Sequence, residues 1–177
     1  MNITVYLGST PGKDVKLMNA TQELGQWLGQ NGHTLVYGGS KSGLMGILAG
    51  ATLKAGGEVI GVEAQMFMDE GVEFEGLTKL IVEKDIPDRR KTMINYGEAF
   101  IAFPGGLGTL EEISEIMSKK ALNQLEGAPC IFYNFNGYYD DLERMLHTMI
   151  DMELSTPAKQ KGIHFCQNLA EIEGILM

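Results

Sequence analysis

Cysteine is scarce in this 177-residue chain: there are two, Cys130 and Cys166, with no CxxC spacing. That excludes a disulfide framework and a thiolate zinc site, and their place inside apolar runs reads as buried core thiols. His33, His147 and His164 are scattered without HExxH or another ligand spacing, so no metal is expected. Basic charge is also in short supply. Fourteen Lys and Arg stand against 23 Asp and Glu, a net charge of -9, which opposes nonspecific attraction to nucleic acid or to an anionic membrane. No apolar run approaches the roughly 20 residues of a membrane span, and Met1–Leu7 is too short for a signal-peptide core, so a cytoplasmic location is expected. Familiar nucleotide fingerprints are missing too. There is no GxxxxGK[ST], no GxGxxG after the first strand and no GxSxG, leaving a triphosphate loop, a dinucleotide site and a hydrolase elbow without support.

What the chain does have is an alternation of two periods. Short β-branched and aromatic runs at Ile3–Leu7, Thr34–Tyr37, Val59–Val62, Leu77–Val82, Ala99–Phe103, Cys130–Tyr133 and Ile163–Cys166 read as strands. Between them, apolar residues repeat every three or four positions in Asp14–Gln30, Gly43–Ala55, Asp88–Tyr96, Thr109–Leu125, Tyr138–Met152 and Asn168–Leu176. Met18, Met117, Met145 and Met149 fall on these stripes and are expected to fill the core. Glu63–Glu75 fits neither period. Strands joined by helices imply a doubly wound parallel sheet in three layers, α/β/α, with residues 1–177 expected as a single domain. Ligands of such sheets bind beyond the carboxyl ends of the strands.

Three strand-to-helix junctions are glycine-rich: Tyr6–Asp14, Val36–Gly46 and Ala99–Met117. Glycine there removes the Cβ that would hold a ligand away, so backbone N–H groups and the positive end of the next helix can converge on one anion. Pro104-Gly105-Gly106-Leu107-Gly108-Thr109 is the strongest case, and with no lysine inside it a monophosphate is the natural guest. A tight turn with Thr109 as helix cap would explain Gly108 and Thr109 but not Gly105 and Gly106. Two readings of Glu112 stand: Thr109-x-x-Glu112 is a capping box, or the carboxylate faces a ribose or a developing cation beside the phosphate. In Ile86–Met93, Pro87 and Asp88 mark a helix start whose first turn is crowded by Arg89, Arg90 and Lys91, against the helix dipole. Either the cluster is solvated, or something negative lies nearby.

The stretch Pro104–Glu112, with Arg89 twenty-three positions before Glu112, resembles the LONELY GUY family of cytokinin-activating phosphoribohydrolases, once labelled lysine decarboxylase-like. Gly8–Gly12, Gly32–Gly39, Gly43–Gly46, Gly56–Val62 and Gly137–Leu142 extend the likeness over most of the chain. The resemblance implies a Rossmann-like homodimer or larger assembly. It also implies cleavage of the N-glycosidic bond of N6-modified adenosine monophosphates, or of AMP, to free base and ribose 5-phosphate, with no cofactor. Arg89 and Glu112 would take the catalytic positions. Gly106, Gly108 and Thr109 would bind the phosphate, and Arg90 and Ser118 would take binding positions that the family fills with Lys and Thr. The matching junctions add Gly8, Ser9, Gly38, Gly39, Gly43, Met45, Gly105, Leu107 and Glu111 to the nucleotide-binding set.

The chain also departs from the family pattern. Ile86-Pro87-Asp88-Arg89-Arg90 stands where the family reads MHERK, and the proline of GVIP is missing from Gly61-Val62-Glu63-Ala64. Ser40 replaces a common third glycine. A substrate-contacting glutamate falls near Gly71, with Glu70 or Glu73 as substitutes. A noncatalytic carrier of a nucleotide-bearing ligand is the rival expectation. Lysine decarboxylation is weaker, since none of Lys41, Lys54 or Lys91 has a recognisable pyridoxal context.

Overall fold

The computed structural model describes residues 1–68, 71 and 74–177. Seven strands, β1 (Asn2–Tyr6), β2 (Thr34–Tyr37), β3 (Glu58–Ala64), β4 (Lys79–Glu83), β5 (Ala99–Ala102), β6 (Cys130–Tyr133) and β7 (Ile163–Cys166), form one sheet in the order β4-β3-β2-β1-β5-β6-β7. Every pairing is parallel; Thr4, for example, lies opposite Val36 on one side and Phe100 on the other. The order reverses at β1, which pairs with both β2 and β5, so the crevice beyond these strand ends is the topological switch point. The helices are α1 (Val15–Gln30), α2 (Gly43–Lys54), α3 (Gln65–Met68), α4 (Ile86–Tyr96), α5 (Leu107–Ala121), α6 (Asp140–Asp151) and α7 (Leu169–Leu176).

The period of two in the strands divides the core. Ile3, Val5, Leu35, Tyr37, Ile101 and Phe103 point to one face, against Leu24 and Leu28 of α1, Leu48 of α2 and Ile172 of α7. Tyr6, Val36, Val62, Phe100 and Phe132 point to the other, against Met93 of α4 and Ile113 and Ile116 of α5. Both cysteines are buried and free. On the first face α1 and α2 meet closely because Gly25 lies at their crossing. A Cβ built there would stand 2.7 Å from both the Leu48 carbonyl oxygen and Ala51 Cβ.

Several boundaries shift for local reasons. Asp85 caps α4, its carboxylate accepting the Asp88 N–H at 2.9 Å, so the helix starts before Pro87 rather than at Asp88. Helix α5 starts at Leu107, not Thr109, and α6 starts at Asp140 because Asn136 and Gly137, both at positive φ, shape a 3-10 turn before it. The undecided segment Glu63–Glu75 resolves in part: β3 runs on through Glu63 and Ala64 into α3. Glu70 and Glu73 lie outside the described residues. Met145 is not a core residue. It is 57% exposed on α6, while Leu146 is buried and Leu142 packs against the core. Among the described residues no helix is long and apolar enough to cross a membrane.

Gly25→Val is expected to lower the unfolding free energy by about 1–3 kcal/mol through overpacking at the α1–α2 crossing. Gly174→Ala, where nothing lies within 4 Å of an added Cβ, is expected to raise it by about 0.5–1 kcal/mol. Urea denaturation of both variants measures the two shifts.

Candidate active site

The carboxyl ends of β1, β2 and β3, together with the starts of α2, α4 and α5, enclose a cleft of about 550 Å³. Its size is that of a small-molecule site. Gly8 and Ser9 line it after β1, Gly38 after β2, Glu63 at the end of β3, Arg89 from α4, and Gly106–Thr109 and Glu112 from α5. A smaller hollow of about 400 Å³ lies between α6, β7 and α7, remote from all of these residues.

At the phosphate-like loop Gly106 occupies the cap of α5 in extended conformation and supplies no side-chain cap bond. The first N–H groups of the helix therefore have no capping side chain, the condition under which a helix start receives an anion. Thr109 sits inside the first turn and is buried, and Gly105 must lack a side chain because Thr109 and the Gly8 nitrogen occupy the space a Cβ would need. This overturns the capping-box reading. Thr109 is not the cap, and the Glu112 carboxylate is engaged elsewhere.

Its partner is Arg89. Arg89 Nη1 donates to Glu112 Oε1 at 3.0 Å, Nε to the Val62 carbonyl at 2.8 Å, and Nη2 to the Gly38 carbonyl at 3.3 Å. Glu63 Oε1 lies 3.5 Å from Nε. The guanidinium reaches Gly38 so closely that any Cβ there would collide with Nη2. Burial pushes the Glu112 carboxyl above its ordinary value, a shift that the Arg89 charge and its hydrogen bond oppose. Tyr6, buried beside them, has its phenol pushed well up by burial and by the Glu112 and Glu115 charges.

The basic run at the start of α4 is thus not a solvated cluster throughout. Arg90 turns away from the cleft and pairs with Glu111 and Glu115 of α5, at 2.5 and 3.2 Å, while Lys91 is exposed. Four glutamates of the chain itself lie against the two arginines that oppose the helix dipole.

Of the residues singled out in the sequence, the cleft gathers Gly8, Ser9, Gly38, Met45, Arg89, Gly106, Leu107, Gly108, Thr109 and Glu112. Gly39, Gly43 and Gly105 belong to the same junctions but do not line it. Arg90 and Glu111 form the pair beside it, and Ser118 is exposed on α5, six positions beyond Glu112. Sequence reasoning missed Tyr6, Ser42, Phe67, Met93 and above all Glu63. The signal for Glu63 was available: β3 ends at Ala64 rather than Val62, and the rule that ligands sit beyond strand ends applies to it equally.

The chain is similar to known proteins along most of its length. The family model described as "Possible lysine decarboxylase" matches residues 45–174. A cytokinin riboside 5'-monophosphate phosphoribohydrolase of Rhodococcoides fascians is 36% identical over 177 residues, covering 99% of this chain and 87% of that one. One from Arabidopsis thaliana is 33% identical over 170 residues, covering 96% and 74%. Among solved structures, the molybdenum cofactor binding protein of Rippkaea orientalis superposes with a TM-score of 0.72 at 21% identity, covering 99% of this chain and 97% of that one, a likeness of fold alone. With two thirds or more of both phosphoribohydrolases covered, and the family model spanning most of its length, the chain belongs to the family of possible lysine decarboxylases that includes the LONELY GUY phosphoribohydrolases.

Proposed function

We propose that this protein hydrolyses the N-glycosidic bond of AMP or of N6-modified adenosine 5'-monophosphates, the cytokinin riboside monophosphates, releasing free base and ribose 5-phosphate. The observation that carries this reading is the Arg89–Glu112 contact at 3.0 Å, set beside a helix start with no capping side chain at the switch point of the sheet. The names of the relatives support the same substrate class.

The phosphate docks on the N–H groups of Gly106–Thr109, with Gly8 and Ser9 closing its other side. That docking places the ribose toward Glu112. As the bond between C1' and the base nitrogen breaks, its electron pair leaves with the base and positive charge develops on the sugar. The ionised Glu112 carboxylate stabilises that charge and takes a proton from the water that attacks C1', and that proton passes on through solvent to the departed base, leaving Glu112 ionised again. Arg89 orients Glu112 through Nη1 while Nε and Nη2 are held by the Val62 and Gly38 carbonyls, a fixed positive charge with several directed donors that a lysine would not supply.

Residues 1–177 act in this reading as one nucleotide-binding unit of the cytoplasm, needing no metal or cofactor and meeting neither membrane nor nucleic acid. Two copies pair through their helices. Exposed Leu107 and Leu110 of α5, Tyr138 and Met145 are the apolar side chains that pairing would cover, and sedimentation equilibrium is expected to give twice the chain mass or more.

Chromatography after incubation with AMP and N6-isopentenyl-AMP is expected to show free base, with adenosine turned over at least about a hundredfold less efficiently because it lacks the docking phosphate. Nucleotide bound and recovered intact would instead support a carrier. Glu112→Gln is expected to keep nucleotide affinity while kcat falls about 10²–10⁴-fold. Arg89→Ala should reduce kcat/KM far more than Lys119→Ala, which removes a charge in the last turn of α5 paired with Glu115 and stays within about twofold of the parent; equal effects of the two would take Arg89 out of the mechanism.

A further inference from the structure

Glu63 is the one charged group of the cleft that neither the sequence motifs nor the proposed mechanism uses. It is 2% exposed, yet it lines the cleft and lies on the Nε side of the Arg89 guanidinium, while Glu112 takes Nη1. Among the described residues the charged groups lining the cleft are therefore two carboxylates and one guanidinium. Arg90, the nearest other cation of α4, is committed to Glu111 and Glu115 outside it.

A second buried carboxylate is not needed to neutralise Arg89. Glu112 alone balances its charge, and the Val62 and Gly38 carbonyls already accept from Nε and Nη2. Burying an extra carboxylate is unfavourable unless it has a task, and an apolar residue at the end of β3 would satisfy burial at lower cost. What Glu63 changes is the geometry and the sharing of charge. With Nε occupied by Val62 and Glu63, Arg89 meets Glu112 through the single Nη1–Oε1 contact rather than a two-pronged fork.

We propose that Glu63 is a positioning residue: it holds Arg89 from the side away from Glu112 and divides the guanidinium between two carboxylates, so that Glu112 remains a reactive base instead of half of a closed ion pair. The inference rests on the phosphoribohydrolase reading for its catalytic meaning, but the division of charge is a property of the unliganded protein. Among the described residues, the groups that set Glu112 come from three elements. Arg89 and Arg90 face it from α4, Glu111 and Glu115 share its helix, and Tyr6 approaches from β1. Glu63 acts through Arg89, and the Tyr37 phenol of β2 also senses the Glu63 charge.

The sign follows. Removing the Glu63 charge leaves the guanidinium to Glu112 alone, which favours the ionised form, so the Glu112 midpoint moves to lower pH. Because Glu112 works ionised, activity is lost as pH falls through that midpoint, and the acid limb of kcat moves down with it.

The test is the side-chain carboxyl 13C titration of the unliganded protein, with the Glu112 resonance assigned by its loss in Glu112→Gln. In Glu63→Gln the Glu112 midpoint is expected to fall by about half a pH unit or more, and kcat for AMP at the parent's optimum by about tenfold. If Glu63→Gln does not fold, Glu63→Asp keeps the charge but draws it back by one methylene, and is expected to move the midpoint the same way by less. A Glu112 midpoint unchanged in the folded variant overturns the proposal. If the parent releases no base from any nucleotide, the functional reading fails, while the titration still decides how Arg89 is shared.

Discussion

One guanidinium organises the carboxyl end of this sheet. Arg89 takes acceptors from the ends of β2 and β3 and from α5, three segments separated by tens of residues in sequence, and it reaches them from the first turn of α4. Lysine, a point charge on a flexible stem, would not span carbonyls and carboxylates in three directions at once. The arrangement is possible because a parallel sheet directs all its strand ends to one edge, and because Gly38 leaves the space into which the side chain extends.

That same placement is costly in isolation. A cation at the start of a helix opposes the dipole, and buried ions lose hydration. The costs are offset pairwise, Arg89 by Glu63 and Glu112 inside the cleft and Arg90 by Glu111 and Glu115 at its rim. The two arginines, adjacent in sequence, thus serve different ends: one fixes a candidate catalytic carboxylate, the other ties α4 to α5. A buried Glu112 with its carboxyl pushed upward is the expected companion of such a design, since the low-polarity setting that strengthens the contact with Arg89 also resists full ionisation.

Much of the fold was legible because it depends on local periods. Ile3, Val5 and Tyr6, or Phe100 and Ile101, alternate between the two faces as the pattern of two requires, and parallel strands with intervening helices leave few topologies. The glycine loop was legible for the same reason, as a local run with one structural use. What depended on distant partners was not. Thr109 looked like a cap because it stands three positions before Glu112, but Gly106 starts the helix earlier and Arg89 claims the carboxylate from another helix. The partners of Arg90 lay 21 and 25 positions away, a separation that no short window reveals. Glu63 was passed over because β3 was ended two residues early, and Met145 was assigned to the core because a helical stripe does not say how much of it the neighbouring elements cover.

The close α1–α2 crossing at Gly25 has a counterpart on the opposite side of the sheet, where α4 and α5 are joined along their rims by ionic contacts. Where the first pair of helices is held by touching backbones, indifferent to electrolyte, the second adds to its apolar contacts through Met93, Ile113 and Ile116 a set of charges that dissolved ions loosen. Dissolved ions therefore act on the layer that carries Arg89, Glu112 and the glycine loop at the start of α5, and leave the α1–α2 crossing untouched.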